Sequence, residues 1–126
     1  MSILSSTGKI YIVLKPVSGR FGIPRLMSEL SSKRLKVPWD GREEITVVTF
    51  NTRRSLCSVL HVDSRGTDHT RRMLEHGTFD VFLEDGLLPA ALTREQLEKL
   101  LDTGSAGENF TGLLRLGEKE LPRQDK

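Results

Sequence analysis

Hydrophobic and polar positions divide this chain into short, separate runs. "KIYIVLKP", Lys9 to Pro16, is almost continuously β-branched or apolar. Its length predicts a buried strand, which Pro16 ends. A turn-like "SGRFG" follows. Pro24 then suits the first turn of a helix. Ile23, Leu26, Met27 and Leu30 repeat at i, i+3, i+4 and i+7, so a short amphipathic helix is predicted, ending at Ser31-Ser32. The charged connection Lys33 to Glu44 carries Pro38 and the turn pair Asp40-Gly41, with Trp39 as a candidate anchor.

"EITVVTF" (Glu44 to Phe50) and "LCSVLHV" (Leu56 to Val62) read as two strands of a hairpin. Its tip is polar: Asn51-Thr52-Arg53-Arg54. "DSRG" is a second turn. Thr67 to His76 reads two ways, as a short helix capped by Asp68 or as a strand leading into "GTFDVFL" (Gly77 to Leu83). The latter reads as a strand itself, and "EDGLLP" as loop. The clearest local pattern is "LTREQLEKLLDTG". Thr93 and Gln96 form a capping box, Leu92 and Leu97 a hydrophobic staple, and Gly104 closes the helix. Leu97, Leu100 and Leu101 share one face.

These elements predict an α+β fold: a mostly antiparallel β-sheet with one helix after the first strand and one near the C-terminus. Residues 1–8 are expected to be a flexible start, 9–104 a single domain and 105–126 a mobile tail. Composition agrees with one soluble domain, at 126 residues, 37% hydrophobic and 29% charged. No apolar run approaches the roughly 20 residues of a membrane span. The first residues do not read as a secretory leader. Cys57 is the only cysteine, which fits a reducing compartment, and a cytoplasmic location is expected.

Charge changes the picture further. The net charge is +2, but Met1 to His76 holds 13 Lys/Arg against 7 Asp/Glu, whereas Gly77 to Lys126 holds 6 against 10. A basic first part and an acidic second part suggest a basic face for an acidic partner. Nucleic acid is the commonest one, because phosphates reward Lys and Arg through counterion release.

Catalytic motifs are absent: there is no phosphate-binding G-x-x-x-x-G-K-[ST], no G-x-S-x-G, no H-E-x-x-H and no paired Cys motif. "SGRFG" lacks the Lys-Ser/Thr continuation of a nucleotide loop, and its glycines read as turn residues. His61, Asp63, Asp68 and His69 offer imidazole and carboxylate to a metal, but their spacing matches no ligand signature. With Leu60 facing the core, His61 is expected to face solvent. Cys57 reads as a small buried hydrophobe. The expectation is therefore a protein that is not an enzyme and needs no cofactor or metal.

The arginines are the stronger lead. Arg20 and Arg25 flank the start of the first helix, Arg53 and Arg54 sit at the hairpin tip, Arg65 is in the next turn, and Arg71-Arg72 follow. Any one of them alone reads as a solvated charge. Their recurrence at turns suggests phosphate recognition, since a guanidinium fork grips phosphate oxygens in bidentate fashion and Asn51 can add an amide bond. The candidate contacts are Arg20, Asn51, Arg53, Arg54, Arg65, Arg71 and Arg72.

In order and spacing these pieces resemble TnpB, the accessory-protein family encoded by the second open reading frame of insertion sequence sixty-six transposons. It is distinct from the RNA-guided nucleases that share those letters. The family's opening I-Y-L and P-V-D-x-R-x-G-x-x-x-L are matched by Ile10-Tyr11-Ile12, Pro16, Val17, Arg20 and Leu26. Its central F-V-F-x-N-R-R-R-x-x-x-K-V-L-x-W-D-x-x-G is matched without a gap by Val48, Asn51, Arg53, Arg54, Val59, Leu60, Asp63 and Gly66. K-R-L-E-x-G-x-F corresponds to Arg72 through Phe79, and L-x-x-x-Q-L-x-x-L-L to Leu92, Gln96, Leu97, Leu100 and Leu101.

The resemblance spans Ile10 to Gly104 and rests on the ordered set rather than on any one motif. Ser18, Thr52, Ser58, Val62 and Met73 depart from the pattern, so this looks like a divergent member with part of the basic set lost. The resemblance implies a non-enzymatic accessory role beside a separate transposase, with DNA and other transposon proteins as partners and no membrane. It also reads Thr67 to Glu75 as strand. Two rivals stand beside it: a protein-interaction module whose basic face binds an acidic partner such as the transposase, and a metal-dependent nuclease using His61, Asp63, Asp68 and His69.

Overall fold

A computed structural model describes residues 8–105. Seven elements follow in chain order: β1 (Lys9–Ile12), α1 (Ile23–Ser31), β2 (Ile45–Phe50), β3 (Leu56–Asp63), β4 (Gly66–Met73), β5 (Ala90–Ala91) and α2 (Arg94–Thr103). The expectations for residues 1–7 and 106–126 lie outside the described residues.

The strands form one sheet in the order β4-β3-β2-β1-β5. β1 and β2 are parallel, joined through α1, and the other three pairings are antiparallel. Two more bonds extend the parallel seam beyond β1, from Val13 N to Val48 O at 2.8 Å and from Val17 N to Phe50 O at 2.8 Å. The architecture is the expected α+β one.

Both faces of the sheet are covered. Alternation along each strand sends Ile12, Val48, Phe50, Cys57 and Val59 to the α2 face, where they meet Phe79, Val81, Leu97 and Leu100. Val13, Ile45, Val47 and Leu60 go to the α1 face and meet Leu26, Leu30, Leu35 and Trp39. All six residues of β2 are buried for this reason. Continuous apolar strands are what two-sided burial demands.

Both helices begin as their sequences direct. Pro24 occupies the first turn of α1, and Leu26 and Leu30 are its buried stripe. At α2, Thr93 Oγ1 accepts from Gln96 N at 3.0 Å while Gln96 Oε1 accepts from Thr93 N at 2.9 Å, so both bonds of the capping box form. Gly104 ends α2 at φ 86°, a left-handed conformation that glycine adopts without steric cost. Trp39 anchors the connection before β2, its indole N–H donating to Glu43 O at 2.8 Å.

Two expectations change. Of Thr67 to His76, Thr67 to Met73 resolves as strand, because β3 offers it a full ladder from Leu56↔Met73 to Asp63↔Gly66, whereas Leu74 to His76 lie beyond the strand's end. Gly77 to Leu83 is not a strand, although Phe79 and Val81 alternate inward. Among the described residues no strand pairs with it. Phe79 N donates to Arg54 O at 2.7 Å, Asp80 N to Gly104 O at 2.7 Å and Val81 N to Phe79 O at 3.0 Å. The segment lies over the sheet, tied to a hairpin tip and a helix end. Two-residue β5 had no pattern long enough to announce it.

Candidate nucleic-acid interface

Asn51 builds the β2–β3 tip. Its N–H donates to Leu56 O at 3.2 Å and its carbonyl accepts from Arg54 N at 3.0 Å. Its side-chain Oδ1 accepts from Ser55 N at 2.9 Å and Leu56 N at 3.0 Å, and Nδ2 donates to Ser55 Oγ at 3.0 Å. The amide expected on phosphate is thus engaged inside the loop, in the way Asn side chains stand in for backbone at turns.

Arg54 closes the turn at φ 60°, a left-handed conformation uncommon outside glycine. It is half-buried. Its carbonyl receives the Phe79 N–H, and its Nη1 donates to Val81 O at 3.3 Å. Arg54 therefore ties the tip to the segment lying over the sheet. Arg53, one position earlier, is exposed.

Two other segments converge on this end of the sheet. Gly19 packs so close to β3 that a Cβ there would lie 2.7 Å from Leu56 Cδ2 and 3.7 Å from Asn51 Cβ. This close approach sets exposed Arg20 beside the tip. On β4, the register places Arg72 opposite Cys57 and Arg71 opposite Ser58. Arg71 reaches across the α1 face and donates to the Gly19 carbonyl. Arg20, Arg53, Arg71 and Arg72, all exposed, thus come from three separate segments to one end of the sheet. Arg25 is nearby in sequence but engaged, 4.5 Å over the Phe21 ring and 3.0 Å from Glu29.

Apolar surface borders these charges. Met73 and Phe82 are 67% and 49% exposed. A cavity of about 340 Å³ lies between Pro16, Thr52, Arg54, Val81, Phe82 and Leu83.

Arg65 is not part of this group. It sits in the β3–β4 turn, at the far end of an eight-residue strand, which is about 23 Å away at strand rise. There Asp63 Oδ1 accepts from Arg65 N at 2.8 Å and Gly66 N at 3.1 Å. Those bonds, Arg65's first, hold the Asp63 carboxyl below its ordinary range.

The four candidate metal ligands divide. His69 lies opposite Leu60, on the α1 face. Burial, and then Arg71, lower its pKa. His61 lies opposite Asp68 on the α2 face, and it is buried, only 1% exposed. The expectation of an outward His61 assumed one solvated face, and this sheet has none at β3. His61 Nε2 is 2.8 Å from Glu44 Oε2, and Nδ1 is 3.7 Å from Asp68 Oδ2. Glu44 escaped the sequence reading because only the strand register reveals that it adjoins His61. Its one trace in the sequence is even spacing from Thr46, which pairs with His61.

Among the described residues no helix is long and apolar enough to cross a membrane. Comparison with protein-family models, with curated proteins and with solved structures found no match to this chain.

Proposed function

We propose that this protein is a non-enzymatic, DNA-associated accessory protein of a transposable element, as a divergent relative of the insertion sequence sixty-six TnpB proteins. The observation that carries the DNA reading is the convergence of exposed Arg20, Arg53, Arg71 and Arg72 from three segments onto one end of the sheet. Arg20, Arg53 and Arg72 offer forked donors to neighbouring phosphates, while Arg71 leaves β4 on the other face and spends one donor on the Gly19 carbonyl. Backbone contacts of this kind give affinity and register rather than sequence choice. Asn51 and Arg54 serve this surface by shaping the tip, and Arg65 stands apart from it. The transposon context comes from the motif resemblance.

The test is affinity for duplex DNA as a function of salt, for the wild type and for Arg53→Ala/Arg72→Ala. Each phosphate contact contributes about 0.9 to the slope of log affinity against log salt, so the double variant should lose about 2 units. An unchanged slope, or no binding even at low salt, would refute the DNA reading.

The apolar border favours a second reading, in which the same surface binds an acidic segment of a partner protein such as the transposase. Exposed Met73 and Phe82 beside the arginines fit a peptide better than a phosphate backbone. Under that reading Phe82→Ser weakens capture of the purified transposase and leaves DNA affinity alone.

A further inference from the structure

At the end of the sheet opposite the arginines, a buried imidazole is surrounded by acids. Glu44, His61 and Asp63 each contribute one ligand-type atom, and these atoms lie within 4.8 Å of one another. The alternation that buries His61 on the α2 face brings Asp63, two residues on, to the same side, and Glu44 adjoins from the residue before β2. Asp68 faces His61 from β4. Among the described residues, two buried polar atoms here have no hydrogen-bond partner, His61 Nδ1 and Thr46 Oγ1. Thr46 is 1% exposed and is the cross-strand neighbour of His61. Buried polar atoms are rarely left unpaired, and each instance asks for a missing partner.

We propose that Glu44, His61 and Asp63 form a binding site for a divalent transition-metal ion, with Asp68 orienting the histidine. The donor set, one imidazole and two carboxylates, suits Zn²⁺ or Mn²⁺. The ion takes the position of the proton that His61 Nε2 shares with Glu44. That proton moves to Nδ1, and no net proton is released. Nδ1 then donates toward the Asp68 carboxylate, now 3.7 Å away on a side chain 69% exposed and free to close the gap. A carboxylate that receives the second ring N–H is the usual support of a metal-bound histidine. The unpaired Nδ1 is thereby satisfied, and the Thr46 hydroxyl is adjacent for a water on the ion. Glu44 and Asp68, both reachable from solvent, leave the ion a way in. Three strand segments, at the start of β2, the end of β3 and the start of β4, would be pinned together by one ion.

The experiment titrates the full chain with Zn²⁺ by calorimetry and with Mn²⁺ by amide NMR. Zn²⁺ should bind at one site per chain. Mn²⁺ should broaden amides of residues 44–46, 61–63 and 66–68 before any others. Glu44→Gln and Asp63→Asn should each abolish saturable binding. Asp68→Asn should weaken it by about tenfold, the scale of a lost supporting carboxylate. These three side chains reach solvent, so the variants avoid the core defect that His61→Gln would create. Circular dichroism of each variant checks that. Broadening centred on His69 or His76, wild-type affinity in Glu44→Gln, or no saturable binding would overturn the proposal. So would nitrogen NMR showing His61 protonated on both ring nitrogens at neutral pH, since a proton would then fill the role given to the ion.

Discussion

Replacing Asn51 with alanine separates two roles for the hairpin tip. In the structure its Oδ1 is the acceptor for the N–H groups of Ser55 and Leu56, and Leu56 begins a buried strand. Alanine leaves both donors without that partner. A part-buried hydrogen bond of this kind is worth about 1 kcal/mol, so the loss should be about 2 kcal/mol. For a folded unit of about 100 residues that lowers the melting temperature by about 8–16 °C. Asn51→Asp keeps an acceptor oxygen at the same place and should retain most of the stability. Thermal and urea unfolding followed by circular dichroism measure both variants. A loss below about 0.5 kcal/mol for Asn51→Ala, the size of an ordinary surface substitution, would refute the reasoning. So would equal losses in the two variants, since the acceptor would then not be what matters.

Phe79→Ala should cost about 3–5 kcal/mol in urea unfolding, although Phe79 belongs to no helix or strand. It is fully buried and its ring centroid lies 5.5 Å from that of Phe50. Burial pushes the Cys57 thiol up to about 12, with Arg72 opposing. Below pH 9.0, the thiol's ordinary value, folded and unfolded chains both hold this proton. Between about 9.0 and 12 only the unfolded chain releases it, so stability should fall across that window. Stability curves for wild type and Cys57→Ala should converge as pH rises through it. The thiol should also ignore a disulfide reagent at pH 8 until urea unfolds the chain.

Sequence reading succeeded where a structure is decided locally. The capping box of Thr93 and Gln96, the proline at the start of α1 and the buried runs of β2 and β3 are each specified within a few residues. It failed where distant segments decide. Phe79 and Val81 carry the alternation of a strand, but whether a strand edge lies beside them is a property of the whole sheet. The orientation of His61 depends on how many faces of β3 are covered. Glu44 and His61 are 17 residues apart, and only the register joins them. The arginines divide on the same ground. Their positions at turns were legible, but the grouping of Arg20 with Arg53 needs the close approach of Gly19, and the exclusion of Arg65 needs the length of β3. The left-handed backbone of Arg54 left no mark in the sequence, since the residue that usually advertises it is glycine.

Strand β4 borders the sheet order, with all but two of its residues exposed. A bare strand margin is a template for a second copy of the same chain. Here that margin carries Arg71 and Arg72 in succession, one on each face, so another β4 approaching it in register would meet like charge on both faces. The pair that we assign to phosphate would therefore also disfavour edge-to-edge pairing of two copies. Drift that replaced these arginines with neutral residues would do more than weaken a contact. It would expose the chain to self-stacking. Acidic replacements would surrender phosphate while preserving solubility. Loss of the proposed phosphate contact and loss of colloidal stability are thus separable by the sign of the substituted charge.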